Sequence, residues 1–372
     1  MIDTHSGRRY NLFQSFSTLD LRVLINCQEM DPLTERQQTI LGLIVREYIE
    51  SADAVSSKTL VEKYQLGVST ATVRNEMSEL TEKGYLRQPH TSAGREPTEA
   101  GYRYFVQTLI GETELPLAEQ RTISHQFYQA RQDIDQWMRL AASVLAQHAR
   151  GASLVTAPHQ TQARFKRIEL ISTRGRQVLL VLVLTGGEVR QQMLALAEPV
   201  AQEVLTESAN RINAACLGLD GENIVAQAAH LPTLEQEVCR LVADVMKKAE
   251  AFSASEVFRD GVTNVLAEPE FATSDSARQA LRVLEERTYL EEFLAKALSP
   301  TVGGVQVVIG GENSWQELKE CSMVLARYGV SGYATGAMGV LGPQRMAYGR
   351  VISTVRFVAG MMSDLMYEIY TE

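Results

Sequence analysis

Apolar residues recur at helical spacing through most of the first hundred positions. In LTERQQTILGLIVREYIE, Ile40, Leu43, Ile44 and Ile49 share one side of a helix, and Thr34 with Gln37 three residues on makes a capping-box start. SSKTLVEKY (Ser56 to Tyr64) reads as a second, short helix with Leu60, Val61 and Tyr64 available for packing. A link of four residues, Gln65 to Val68, contains a glycine and leads to a third helix, Ser69 to Lys83. Ser69 is placed to cap that helix, Val73, Met77 and Leu80 form its apolar stripe, and Gly84 marks its stop. At about 100° per residue, Ala71, Asn75 and Ser78 fall opposite the stripe, with Thr72, Arg74 and Glu79 flanking them. Three helices with a tight turn between the second and third predict a helix-turn-helix.

The following YLRQPHTSAGREPT alternates too briefly for a helix and carries turn residues at Pro89 and Gly94, the pattern of a two-stranded wing. Thr98 then caps a helix with Tyr102, Phe105, Val106 and Leu109. Alone, the third helix reads rather as an ordinary amphipathic surface helix. With the wing it becomes a DNA-reading element, because small and amide-bearing side chains on a short capped helix suit a major groove. The candidate DNA-binding residues are Ser69, Thr70, Thr72, Arg74, Asn75 and Ser78 on the helix and Arg87, His90, Thr91, Ser92 and Arg95 on the wing. The wing residues are the ones placed for backbone or minor-groove contacts.

Further along, Leu117 to Arg150 predicts a long helix with Ile123, Phe127, Ile134, Trp137, Met138, Val144 and Leu145 as its stripe. It either connects domains or pairs with its twin in a dimer. The pattern then changes period. RIELISTRGRQVLLVLVLTGGEVRQQMLALAEP predicts three strands with turns at Thr173 to Gly175 and Thr185 to Gly187. A further strand follows near Val305 to Ile309, and the chain closes with a strand, a turn at Gly342-Pro343 and a long helix. Strands separated by helical sequence predict an α+β domain interrupted by an insertion. The expected boundaries are a winged helix-turn-helix over 30–111, a helical linker over 112–150, an α+β domain over 151–202 and 299–372, and an inserted, mainly helical part over 203–298. Residues 1–29 show no period that joins a core, and are expected to be a disordered extension or to precede a true start at Met30.

Charge adjusts this picture only slightly. The 372 residues carry a formal −9, which argues at first against nucleic acid, but only one face need meet DNA. Between Lys58 and Arg103 seven bases stand against six acids, so non-specific affinity is expected to be modest. Cys27, Cys216, Cys239 and Cys321 have neither zinc nor redox-motif spacing, which fits reduced thiols in a cytoplasm. The run VLLVLVL is too short to span a bilayer, so no membrane partner is expected. IGGEN and TGG are turns rather than phosphate loops, since no Gly-Lys-Ser/Thr follows. The histidines lie apart, no Ser–His–acid set is present, and Glu312-Asn313 reads as a helix cap before a polar pocket. Neither an enzymatic activity nor a cofactor or metal is expected.

Taken in order, LTERQ, SSKTL, LGVSTATVRNEM, GYLRQPHTSAGREPT and GYRYFV resemble the HrcA family of heat-inducible transcription repressors. The C-terminal run IGGENSWQELKECSMVLARYGVSGYATGAMGVLGPQRMAYGRVISTV is similar to that family's ending. Ala54-Val55-Ser56-Ser57 departs from the family's more usual Pro-Val-Gly-Ser, in the lead-in to the second helix. The resemblance implies a GAF-like fold for the interrupted domain and a dimerising role for the insertion. It further implies a homodimer on the double-stranded CIRCE inverted repeat upstream of chaperone operons, release by heat, and promotion of the active fold by the GroE chaperonin. A different class of reading is a transcription factor that senses a small ligand through the GAF-like domain.

Overall fold

A computed structural model describes residues 21–23, 32–90, 93–111, 114–130, 133–160, 163–185, 187–250, 256–271, 282, 284–299, 301–310 and 318–371. The chain divides into two compact units, each built from three stretches of sequence. The first comprises Met1–Val155, Phe258–Arg327 and Ala337–Met361; the second comprises Thr156–Val257, Tyr328–Gly336 and Met362–Glu372.

The first unit begins with the expected head. Helices α1 (Glu35–Ser51), α2 (Ser57–Tyr64) and α3 (Thr70–Glu82) precede a two-stranded wing of β2 (Leu86–Arg87) and β3 (Glu96–Pro97), and α4 (Glu99–Tyr104) runs on into a π-helical turn at Phe105–Leu109. Local capping explains why these helices start where they do. The Thr34–Gln37 capping box is present, and Ser56, Ser69 and Thr98 each accept a backbone N–H from three residues on. The α1 stripe is rotated from the expected one: Ile40, Leu41, Ile44 and Val45 are buried, while Leu43 and Ile49 are half-buried. Helix α1 packs against α3 and against β3, the second strand of the wing. With Leu60, Val73, Met77, Leu80, Tyr85, Leu86, Tyr102, Phe105 and Val106, the buried α1 residues make the head's core.

The expected single helix from Leu117 to Arg150 is two, α5 (Leu117–Gln129) and α6 (Ile134–Ala149). Ala130 is extended, and the Asp133 carboxylate accepts the Asp135 N–H at 3.0 Å, so Asp133 starts a new helix. Beyond α6 lies a sheet whose strands are gathered from across the chain. Its order is β1 (Leu21–Val23), β10 (Val305–Ile309), β11 (Cys321–Val330), β12 (Ala334–Pro343), β4 (Ala152–Thr156) and β9 (Val257–Asp260), with the short β5 (His159–Gln160) also paired to β12. Thus three residues of the stretch expected to lie outside the core, Leu21–Val23, run parallel to Val305–Val307. Short helices α10 (Val262–Leu266) and α11 (Arg287–Ala297) lie between β9 and β10, and α12 (Tyr348–Thr371) ends the chain. Cys27 and the proposed cap Glu312-Asn313 lie outside the described residues.

In the second unit, β6 (Phe165–Arg174), β7 (Gln177–Leu184) and β8 (Val189–Ala195) form their own antiparallel sheet. They were expected to share a domain with the strand at Val305–Ile309. Instead they pack with α7 (Gln202–Cys216), α8 (Gly221–Ala228) and α9 (Thr233–Glu250), so the boundary placed at residue 202 falls inside one cluster. The reason is the inner row Phe165, Ile168, Leu170, Val178, Leu180, Leu182 and Leu184, which is covered by Leu205, Ile212, Ile224, Val238, Val242 and Met246. Cys216 and Cys239 are both buried within that core.

Candidate nucleic-acid interface

The helix α3 is held from beneath and bare above. Val73, Met77 and Leu80 are buried against the head's core, whereas Thr70, Ala71, Arg74 and Asn75 are exposed. Gln65, in the left-handed region at φ 48°, turns the chain from α2 toward α3. The Ser69 Oγ accepts the Thr72 N–H at 3.1 Å, and the two hydroxyls lie 3.0 Å apart. Ser69 and Thr72 therefore build the start of the helix as well as facing outward. The Ser78 hydroxyl turns back to the Arg74 carbonyl at 3.0 Å. Among the described residues, no hydrogen bond or ion pair engages the side chains of Thr70, Arg74 or Asn75. An amide and a guanidinium with all their donors uncommitted, one residue apart on a braced helix, can pair with base edges or phosphates.

On the wing, Leu86 pairs with Pro97 and Arg87 with Glu96. The exposed Arg87 side chain is an ion pair with Glu96 at 3.0 Å, so part of its charge is answered within the wing. Arg95 is half-buried: its Nε donates to the Thr81 Oγ1 at 3.1 Å, and its backbone exchanges two hydrogen bonds with Val55. It thus ties the wing to both α3 and the lead-in to α2. His90 is exposed and starts a turn closed by the Ala93 N–H; Thr91 and Ser92 lie outside the described residues.

Two contributors were missed in the sequence. Val55 bridges to Arg95, and the Gln88 Nε2 donates to the Ala93 carbonyl at 3.1 Å, shaping the wing's turn. Gly94 was the available signal: a Cβ there would sit 2.3 Å from the Val55 carbonyl oxygen, so the wing passes too close for any side chain. Two acids on α3 are engaged by α1, with Glu76 3.5 Å from Arg36 and Glu79 accepting from Gln37 at 2.7 Å. The count of seven bases to six acids did not show these pairings.

The comparisons agree with this geometry. The model of the LexA DNA binding domain matches residues 30–94, and that of the HrcA protein C terminal domain matches residues 135–352. The heat-inducible transcription repressor HrcA of Roseiflexus castenholzii is 47% identical over 346 residues, covering 91% of this chain and 96% of the relative. That of Herpetosiphon aurantiacus is 46% identical over 348 residues, covering 91% and 97%. A crystal structure described as a hypothetical protein at 2.2 Å resolution shares the fold, with a TM-score of 0.58 at 22% identity over 91% of this chain and 99% of that one. With a winged head whose reading helix is exposed and a C-terminal region matched over most of its length, the chain belongs to the HrcA family of heat-inducible transcription repressors.

Proposed function

We propose that this repressor acts as a homodimer on a CIRCE-type inverted repeat upstream of chaperone operons, in the cytoplasm and without a catalytic step. The observation that carries the reading is the uncommitted Arg74–Asn75 pair on the exposed face of α3. Thr70 lies one turn before it, and Arg87, His90 and Arg95 follow on the wing. A palindromic site calls for two heads related by a two-fold axis.

The second unit supports the dimer. On the outer face of its sheet, Ile171, Leu179 and Met193 form one cross-strand row, and Val183 and Val189 belong to another. Ile171, Val189 and Met193 are 44%, 51% and 51% exposed, so this face leaves apolar surface in water. Such a patch marks an association surface. The reading places dimerisation on the unit formed by β6–β8 and α7–α9, and treats the larger sheet with its covering helices as the GAF-like domain. No described helix is long and apolar enough to cross a membrane.

Release by heat follows from marginal stability, since ~1.4 kcal/mol changes the folded ratio tenfold. Operator binding is then expected to disappear over the same temperature interval as the folded signal. A melting transition far above the temperature at which binding is lost would sink this route. The GroE chaperonin is the expected folding partner.

The test is fluorescence anisotropy with a labelled inverted repeat and a scrambled duplex at one salt concentration, with and without chaperonin. Tight binding to the repeat alone, two protomers per site, is the expected result; equal binding to both duplexes by folded protein would refute it. A ligand-sensing reading has one structural support, a cavity of about 490 Å³ lined in part by Ile49, His148, Arg150, Arg345 and Arg350. A small molecule that shifted melting temperature and operator affinity together would favour it.

A further inference from the structure

The most distinctive motif of the C-terminal sequence, GPQRMAY, takes no part in reading DNA, yet its side chains reach back to the head. Helix α1 has no basic residue of its own in its last turn, where unpaired carbonyls carry the negative end of the helix dipole. Arg345 supplies one from 296 positions away, its Nη1 donating to the Ile49 carbonyl at 3.5 Å. The same guanidinium pairs with Glu270 at 2.5 Å and with Glu268, and its side chain is only 13% exposed.

Beside it, the Gln344 Nε2 donates both to the Glu99 carboxylate of α4, at 3.3 Å, and to the Lys319 carbonyl. Tyr348 packs its ring against Tyr102 with centroids 6.0 Å apart. Its hydroxyl donates to the Gln344 carbonyl at 2.6 Å and lies 2.8 Å from the Ser322 Oγ of β11. One loop, Gly342 to Tyr348, therefore grips α1 and α4 of the head on one side and β11, the Lys319 turn and the 268–270 segment on the other.

We propose that this loop is the mount of the DNA-reading head, with Arg345 and Gln344 as positioning residues that fix the orientation of α3 on the sheet domain. A mounted head meets its half-site at a set angle and distance; a freed head keeps its own affinity but loses the effective concentration that two fixed heads share. The consequence for DNA rests on the inverted-repeat reading above, while the mount itself does not.

The test uses the full chain with Arg345→Met and, because that change strands two carboxylates, Gln344→Ala as a milder variant. Three duplexes are compared: the inverted repeat, the same repeat with its spacer changed by about half a turn (~5 base pairs), and a single half-site. The expected result is unchanged half-site affinity, about tenfold weaker binding to the intact repeat, and a smaller penalty for the altered spacer. Arg345→Lys, which keeps a donor and the charge, should recover part of the loss. Equal weakening on all three duplexes would overturn the proposal, since the loop would then serve the head's own fold.

A second measurement needs no DNA. Spin labels at Lys58→Cys and Glu320→Cys in a Cys27→Ser background, diluted with unlabelled protein, report the head-to-sheet distance within one chain. A narrow distribution that broadens in both variants is expected, and an unchanged width in folded variants would overturn the mount. If the parent protein binds repeat and half-site alike, the operator reading fails, and the width still decides the mount.

Discussion

Asn75 and Arg95 are both candidate DNA contacts, and the structure gives them different work. Asn75 has no other described partner, so Asn75→Ala is expected to weaken operator binding by about 1–3 kcal/mol while leaving a scrambled duplex unaffected. Arg95 combines a charge with an anchor on Thr81. Arg95→Ala should weaken all duplexes alike and lower the salt slope by about one, whereas Thr81→Val removes the anchor and keeps the slope. Titrations at several salt concentrations separate the two. Gly94→Ala drives a methyl into the Val55 carbonyl and should destabilise the head by about 1–3 kcal/mol, read as a lower melting temperature. Asn75 was legible in the sequence because it lies opposite a helical stripe. The anchoring of Arg95 was not, because its partners, Thr81 and Val55, lie 14 and 40 residues away in the chain.

Among elements, those defined within a few residues were the readable ones. The caps of α1, α2, α3 and α4 act over three residues, and those of α1, α3 and α4 were visible as a Ser or Thr ahead of an apolar stripe. Ser69→Ala should cost about 1 kcal/mol, measurable by denaturant unfolding of the chain. The break between α5 and α6 was missed because the apolar stripe continues across it while the cap at Asp133 does not announce itself against the acids nearby. The strands β6–β8 were found at their turns, but the sheet they join is decided by which helices cover their inner row, and alternation carries no information about that. Charge pairing adds a pH dependence at this scale. The Lys63 ammonium donates to the Glu47 carboxylate at 2.6 Å and holds its pKa below the ordinary 4.5. A depressed folded pKa means that the pair's contribution is present above pH 4.5 and is lost as pH falls through the lower, folded value. Lys63→Met should therefore narrow the stability gap between neutral and acid solution, as read from denaturant midpoints.

For the whole molecule, association is the property most open to a direct test. Val181 and Met193 lie on the outer sheet face, so placing a Lys at Val181 or a Glu at Met193 should leave the fold intact while yielding monomer by light scattering. Monomer should hold a half-site as the parent does and lose preference for the repeat. A dimer of unchanged mass would move the association surface elsewhere.

The interleaving of the larger sheet has a further consequence, for how the protein is made. Strand β4 ends at Thr156, and its neighbour β12 begins only at Ala334. At about 5–20 residues per second, roughly ten to forty seconds of synthesis separate the two. Through the first part of that interval, until β9 begins at Val257, the nascent chain carries a strand whose five residues are all buried in the finished fold, with neither sheet neighbour made. Long-range pairing of this kind folds slowly and exposes sticky edges while it waits. A chain built this way makes its yield of native molecules depend on how long those edges stay uncovered during synthesis.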